Sequence, residues 1–172
     1  MASMKDILDK VTKGGMAYTN LFKVLVEGGP ATQLSAALEF RAKGSQLPSS
    51  ELGVMEVPYR GRKLKVPSQR SFAEWTVTIM ETKNMEVRTM LEEWMEKLDG
   101  AETGTRDPTN LAKIKVSMLD PKNLSANTIT FVLWGAFPSA IGSVELSYDE
   151  QTAPLEYQVT FQYSYHLLDK GQ

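Results

Sequence analysis

Alternation of apolar and polar side chains in two segments limits this chain to a fold rich in β-strands. Residues 71–80 place Trp75, Val77 and Ile79 on one side of an extended backbone and polar side chains on the other. Residues 155–165 alternate in the same way without a break. A period of two, built from aromatic and β-branched residues, is typical of strands with one buried face. We therefore expect a strand in each segment.

Weaker patterns predict the remaining elements. Short alternating or apolar runs between turn residues predict further strands at residues 20–26, 34–43, 54–57, 62–66, 112–118, 128–134 and 142–148. The chain has one strong helical pattern, from about Asn84 to Leu98. Its apolar residues follow the spacing of a single helical stripe: Val87, Met90, Leu91, Trp94, Met95 and Leu98.

Most of these strands follow one another directly, which favours antiparallel hairpins over parallel βαβ units. We predict a mainly β protein, an antiparallel β-sandwich or barrel of about eight strands with one flanking α-helix at about 84–98. The 172 residues suit a single domain over 1–172, in which 1–17 form an N-terminal arm or short helix. Trp75, Trp94 and Phe161 are expected in the core.

Composition excludes several classes of protein. The net charge of −2 argues against a strongly basic nucleic-acid binder, and no apolar run approaches the length that spans a bilayer. The N-terminus has no signal-peptide pattern, so synthesis and folding in a cytoplasm are the expectation. The absence of cysteine excludes disulfides and thiolate chemistry.

Residues that could carry catalysis are few. His166 is the one histidine, and no partner for it is evident in the sequence, so we expect a partly exposed strand residue. The acidic pairs Glu92–Glu93 and Asp149–Glu150 are expected on a solvated helix face and in a turn. No nucleotide-binding loop, dinucleotide fingerprint, zinc-protease motif or nucleophile elbow is present. We expect no enzyme activity, no cofactor and no metal site.

Residues 44–70 differ in character from the rest of the chain. Glycine and proline interrupt them repeatedly, and they carry a cluster of basic residues: Arg60, Arg62, Lys63, Lys65 and Arg70. A long excursion of this kind is usually disordered or functional, and the interleaved apolar residues argue against disorder. Without clustered aromatic residues to stack on bases, the cluster does not predict nucleic-acid recognition.

The order of signals along residues 18–166 closely resembles the tail tube proteins of contractile-tailed bacteriophages. Six motifs carry the resemblance through their order and spacing: 20–24, 40–48, 62–66, 72–80 with the helix after it, 134–139 leading to 144–149, and 157–161. Two places are less similar to the family, the stretch before Tyr18 and the loop Ala101–Pro108.

The resemblance implies a structural part of a virion tail, assembled in the cytoplasm of a host bacterium. Family members form homohexameric rings whose inner strands join into one barrel, and the rings stack into a hollow tube. Genomic DNA and a tape measure protein occupy or pass through the channel. A tail sheath protein surrounds the tube, and baseplate and tail-terminator proteins complete it.

Against that background, we expect the extended hairpin within 44–70 to make the main contacts between subunits and rings. Its basic residues Arg60, Arg62, Lys63, Lys65 and Arg70 are expected to pair with acids of a neighbour such as Glu102, Asp149 or Glu150. The polar face with Glu74, Thr76 and Thr78 is a candidate for the channel or a neighbouring subunit. A baseplate-proximal tube initiator, a tube subunit of a phage-like secretion or injection system, and a monomeric ligand-binding β-barrel remain alternatives.

Overall fold

A computed structural model describes residues 20–28, 32–101, 103–121, 123, 127–144 and 154–169. Within these ranges the chain forms nine strands and two helices. The strands are β1 Phe22–Glu27, β2 Ala42–Ser45, β3 Ser50–Tyr59, β4 Arg62–Phe72, β5 Trp75–Met80, β6 Ala112–Leu119, β7 Asn127–Ile141, β8 Glu156–Gln162 and β9 Tyr165–Asp169. The helices are α1 Thr32–Arg41 and α2 Glu86–Leu98. Neither helix combines the length and apolar content needed to cross a bilayer.

Seven strands form one antiparallel sheet with two halves. The first half contains β1, β6, β9 and the N-terminal part of β7, and the second contains β2, β5, β8 and the C-terminal part of β7. Side chains from both halves meet in one apolar core. The predicted mainly β, antiparallel fold is therefore confirmed, as an open sandwich and not a closed barrel.

Strand β7 belongs to both halves because it bends at Gly135, which has a φ of +65°. Glycine adopts a positive φ at little steric cost because it has no Cβ atom. Near this residue the pairing of β7 changes from β6 and β9 to β8. The strand predicted at 128–134 would end before Gly135. Instead, β7 continues through Gly135 and Pro138 to Ile141. Pro138 has no N–H to donate to a neighbouring strand. It is tolerated because residues 137–141 form an edge, where β8 is the only described strand that pairs with them.

The predicted strand at 34–43 is wrong: helix α1 occupies Thr32–Arg41, and only Ala42–Ser45 are extended. In a strand over 34–43, Leu34, Ala36 and Leu38 would share one buried face, yet Ala36 is exposed, whereas Leu34 and Leu38 are buried. Two buried residues four positions apart belong to one helix face. The chain therefore has two described helices where one was expected.

Other boundaries differ less. The helix predicted at about 84–98 is α2, which begins two residues later, at Glu86. The run 155–165 ends as a strand at Gln162, and β9 starts after a bend at Ser164. The strand predicted at 142–148 is not observed at residues 142–144, and its remainder lies outside the described residues. Residues 1–17 also lie outside them.

The core contains the three aromatic residues named from the sequence. Trp75, Trp94 and Phe161 are at most 1% exposed. Phe161 lies between the two indoles, with centroid distances of 5.6 Å to Trp75 and 6.2 Å to Trp94. Each indole N–H donates to a backbone carbonyl, Trp75 to Gln46 at 2.6 Å and Trp94 to Asn110 at 2.8 Å. The cluster thus fixes α2 against the second half of the sheet and satisfies its polar atoms.

Candidate assembly surfaces

Strands β3 and β4 form a separate two-stranded sheet, here called the hairpin. A ten-residue strand such as β3 spans about 33 Å, and every hairpin residue in β3 and β4 except Gly53 and Phe72 is exposed. The hairpin reverses at Arg60 and Gly61, whose φ values are +46° and +79°. Positive φ at both central residues is what a two-residue type I′ turn requires. The hairpin therefore extends from the body of the protein.

The hairpin has one apolar face. Its cross-strand partners are Met55 with Val66, Val57 with Leu64, and Tyr59 with Arg62. Because side chains alternate along each strand, these three pairs lie on the same side. We call the five hydrophobic members the apolar face: Met55, Val57, Tyr59, Leu64 and Val66. Each remains 39% exposed or more, so nothing in the described part of its own chain covers this face.

The opposite side of the hairpin is charged. Glu56 lies across from Lys65, and Lys63 forms an ion pair with Glu56 at 2.8 Å. Val54, Pro58 and Pro67 share this charged face. An exposed pair of this kind adds little stability, and it leaves charged groups in solvent on this side. The hairpin is therefore amphipathic.

The five basic residues named from the sequence do not form one patch. Arg60 is in the turn, with its guanidinium 5.4 Å from the ring centroid of Tyr59. Arg62 lies on the apolar side, and Lys63 and Lys65 lie on the charged face. Arg70 is near the base of β4. The acids expected to pair with them, Glu102, Asp149 and Glu150, lie outside the described residues.

Aromatic contacts attach the base of the hairpin to the body. The Phe72 ring packs edge-on against His166, with centroids 5.1 Å apart, and also contacts Tyr163 at 6.2 Å. Burial, together with the nearby charge of Arg70, lowers the pKa of His166. A neutral imidazole suits an apolar contact. The expectation that His166 is a partly exposed strand residue is correct, and the sequence did not indicate this contact.

The outer face of the second half of the sheet is polar and carries few charges. Five residues of β5 and β8 line it, here called the Thr/Gln face: Thr76, Thr78, Gln158, Thr160 and Gln162. At its rim Gln162 donates to Glu74 at 3.2 Å, and Lys43 is paired with Glu156 at 2.6 Å. This face includes the Glu74, Thr76 and Thr78 side that the alternation had singled out.

The second half of the sheet also has two open edges. Strand β2 ends the order of paired strands, and residues 137–141 of β7 pair with β8 alone among the described strands. Open edges expose backbone donors and acceptors that can pair with another chain. The Thr/Gln face is thus bounded on both sides by strands that can accept a neighbour.

Groups that could support catalysis are not brought together. Glu92 and Glu93 are exposed on α2, and Asp149–Glu150 lie outside the described residues. Within the described ranges, no group of three or more histidine or acidic side chains is placed to share a metal ion. The expectation of a structural protein without enzyme activity stays a prediction.

Comparison with known proteins identifies tail tube proteins as relatives of this chain. The family model "Phage tail tube protein" matches residues 14–169. The tail tube protein gp19 of Enterobacteria phage T4 is 24% identical over 162 residues, which cover 93% of this chain and 96% of the T4 protein. The tail tube protein of Serratia phage KSP90 is 28% identical over 117 residues, 64% of this chain and 66% of that protein.

Solved structures show the same fold at low sequence identity. A chain of the sheath–tube complex of PVC, an extracellular contractile injection system, has a TM-score of 0.61 at 13% identity and covers 99% of this chain and 100% of its own. A chain of the tube-terminating cap of the anti-feeding prophage has a TM-score of 0.69 at 13% identity, covering 91% and 93%. The match over most of the chain confirms the expected family, and the protein is a member of the phage tail tube protein family.

Proposed function

We propose that this chain is the structural subunit of a tail tube, a single domain that assembles into hexameric rings stacked around a channel. The exposed apolar face of the hairpin is the observation that carries the proposal. An isolated two-stranded hairpin is marginally stable in water, and a contiguous apolar strip in solvent usually marks an interaction surface. A neighbouring subunit in a tube supplies the cover that the described chain does not.

The open edges support the formation of rings. If β2 of one copy pairs with residues 137–141 of β7 in the next, the second half of the sheet continues from subunit to subunit. Such a contact joins two different surfaces. It produces a closed ring when the rotation from one subunit to the next divides a full turn evenly. Ring closure leaves no free edge that could bind further chains. The six-fold number is the one that the family implies.

The Thr/Gln face is suited to the wall of a channel through which DNA passes. Phosphates are held mainly by lysine and arginine, and Lys43 at the rim of this face is already paired with Glu156. Threonine and glutamine stay hydrated without attracting a polyanion. A tape measure protein before ejection, and DNA during it, would contact this wall only weakly. The sheath would lie outside the tube, and baseplate and terminator proteins would bind its ends in the virion.

Two neighbouring residues test the hairpin as a contact between subunits. Leu64 is on the apolar face and Lys65 on the charged face, so an aspartate at each changes opposite sides of one strand. Leu64→Asp should leave the monomer folded by circular dichroism and raise the protein concentration needed for assembly at least about tenfold, because a buried carboxylate is costly. Lys65→Asp should assemble within about threefold of the wild-type concentration, as expected for a solvated side. Normal assembly of the Leu64→Asp variant, measured by sedimentation, would refute the role of this face.

Arg62 and Lys63 provide a second comparison, because the sequence places both in the basic cluster whereas the hairpin places them on opposite sides. Arg62→Glu alters the apolar side, whereas Lys63→Glu alters the charged face and places two acids, Glu56 and the new one, beside each other. We expect Arg62→Glu to block polymerisation and Lys63→Glu to weaken it only slightly. Equal loss from both would favour ion pairing with a neighbour over apolar packing as the main contact.

The alternatives predict different particles. A baseplate-proximal initiator stops after one or two rings, and a subunit of a phage-like injection device forms cylinders whose cargo is not DNA. A monomeric ligand-binding protein would need an enclosed cavity. The recess bordered by Phe22, Leu47 and Val116 measures about 220 Å³, below the roughly 300–1,000 Å³ of usual ligand pockets. Larger depressions beside Leu167 and on α2, of about 310 and 430 Å³, are shallow and open to solvent, so they are not enclosed cavities.

A further inference from the structure

A second apolar surface lies on the outer side of the first half of the sheet. Trp134 and Tyr165 are cross-strand partners of β7 and β9, and Leu167 follows on the same face. The two rings are stacked, with an interplanar angle of 14° and centroids 6.2 Å apart. We call these three residues the β7–β9 patch, and each is between 38% and 55% exposed. A stacked pair of large rings in solvent is unusual without a partner.

The β7–β9 patch borders a shallow depression of about 310 Å³. Its floor includes Val132, and its sides include Leu167 and the stems of Lys113 and Lys115. Glu27 accepts from Lys115 at 2.5 Å and lies 3.9 Å from Lys113, whose ammonium is also 4.2 Å from the ring centroid of Trp134. The lysine charges are therefore engaged at one side, and Asp169 also lines the depression. The part that offers carbon to a partner is formed by Val132, Trp134 and Leu167.

We infer that the apolar face of the hairpin in one copy packs on the β7–β9 patch of another copy. This inference rests on the proposed tube and specifies one of its contacts. Each chain carries both surfaces, one projecting and one on the body, so that a contact between them repeats from copy to copy. A contact of this head-to-tail kind is how identical subunits form rings or open-ended assemblies.

The chemistry of the two surfaces is complementary. Leu64 has the size and character to enter the depression, and Met55 places a thioether where it can contact an aromatic ring. Tyr59 can pack against the stacked pair through its ring edge. The charged face, with Glu56, Lys63 and Lys65, is then directed toward solvent. Arg62 shares the apolar side next to the turn, so its guanidinium has to lie at the edge of the contact. Packing in this orientation covers both apolar surfaces and leaves the Glu56–Lys63 ion pair hydrated.

The other apolar recess is less suitable for the hairpin. It measures about 220 Å³, and its lining consists of Leu21, Phe22, Leu47, Val116 and Met118 together with the polar residues Ser45 and Gln46. Leu47 belongs to the segment that leads into β3 of the same chain. A recess of this size beside the base of its own hairpin accepts one side chain, but not a strip that is two strands wide. A sheet surface such as the β7–β9 patch can lie along such a strip.

The absence of cysteine makes cross-linking a direct test. Chains with Leu64→Cys are mixed in equal amounts with chains carrying Leu167→Cys, assembled under reducing conditions, examined by negative-stain electron microscopy and then oxidised. Because a disulfide forms only when the two Cα atoms lie within about 7 Å, the mixture should give at least about tenfold more covalent dimer than a mixture of Lys65→Cys with Leu167→Cys. Met55→Cys replaces Leu64→Cys if the latter fails to assemble.

Three outcomes would overturn the inference. The first is equal cross-linking from Leu64→Cys and Lys65→Cys, which would show that the hairpin does not present one face to the patch. The second is preferential pairing of Leu64→Cys with Phe22→Cys, which would assign the hairpin to the other recess. The third is the presence of tubes with no cross-link from either apolar-face cysteine. If the cysteine-free chain forms no tubes at all, the proposed function fails and the inference falls with it.

Discussion

Glu81 provides a strong test of how the described structure holds together. Its side chain is fully buried just after β5 and receives four hydrogen bonds. Arg41 of α1 donates to it at 3.1 Å, and the Tyr157 hydroxyl of β8 donates at 2.8 Å. The backbone N–H groups of Arg88 and Thr82 donate at 3.2 Å each. One carboxylate thus joins two helices and two strands, and it satisfies an N–H in the first turn of α2.

The cost of replacing Glu81 follows from its partners. Glu81→Gln keeps the shape but removes the charge, and its amide group meets donors where the carboxylate had accepted. Hydrogen bonds to a charged group are worth about 1.5–3 kcal/mol. Arg41 is 20% exposed in its side chain and keeps an ion pair with Glu86 at 2.6 Å, which limits the loss. We expect Glu81→Gln to lower the free energy of unfolding by about 2–3 kcal/mol, and Glu81→Ala by about 3–5 kcal/mol.

Urea unfolding of the unassembled protein at neutral pH measures these differences. Glu92→Gln is the matched control, because Glu92 is exposed and meets Arg88 at 3.5 Å one helical turn away. Its substitution should cost no more than about 0.5 kcal/mol. If Glu81→Gln unfolds within about 0.5 kcal/mol of the wild type, the carboxylate is not the structural link described here.

Three further predictions concern single side chains. Trp75→Ala should lower the free energy of unfolding by about 3–5 kcal/mol in urea, and a loss below about 1 kcal/mol would contradict its place in the core. Burial and Arg70 lower the pKa of His166, so the folded protein is not destabilised by this group above the unfolded pKa of about 6.5, and its free energy of unfolding falls as the pH drops below that value. Between about pH 7.5 and about pH 5.5, the free energy of unfolding should fall less in His166→Phe than in the wild type. Equal changes in the two proteins would count against this. Burial first, and then the Glu81 carboxylate, raise the pKa of Tyr157, so the stability linked to this hydroxyl is complete below the unfolded pKa of about 10 and is lost as the pH rises above it. The melting temperature should therefore fall less between about pH 9 and about pH 11 in Tyr157→Phe than in the wild type. An equal fall in both proteins would refute this assignment.

Regular apolar patterns within short segments correctly predicted the elements that these segments form. Strand β5 at Trp75–Met80 and helix α2 at Glu86–Leu98 were expected close to these positions, because each turns one regular apolar stripe to the core. All three apolar residues of the β5 stripe are buried, and three of the six in the α2 stripe are buried while the others are partly covered. The mainly β, antiparallel architecture was expected because most of the predicted strands follow one another directly. The family resemblance, which depended on the order of motifs, was confirmed by the match over residues 14–169.

Helix α1 shows where a short pattern misleads. Over ten residues, Leu34 and Leu38 fit a helix and a strand equally well, because four is an even number and also about one helical turn. The helix-forming alanines and the scarcity of β-branched residues were the better indication. Contact with β1 then decides in favour of the helix, since Leu34 and Leu38 are buried there.

The surfaces were harder to predict than the elements. The alternation of Met55, Val57 and Tyr59 and of Leu64 and Val66 is visible in the sequence, but only their register shows that both sets share one face. The basic residues drew attention to the segment that forms the hairpin, but the register places them on different sides of it. The proposed contact therefore rests on the apolar face and not on these charges, and it stays a prediction. Glu81 could not have been selected, because Arg41 and Tyr157 are 40 and 76 positions away.

Copies of this chain are proposed to form a six-fold tube with the Thr/Gln face toward the channel, and electron cryomicroscopy of the assembled wild-type protein would show this arrangement. We expect stacked hexameric rings in which Thr76, Thr78, Gln158 and Thr160 line the lumen, with β2 of one subunit beside the C-terminal part of β7 of the next. A protein that stays monomeric at high concentration, or a tube whose channel is lined by the β7–β9 patch, would contradict it.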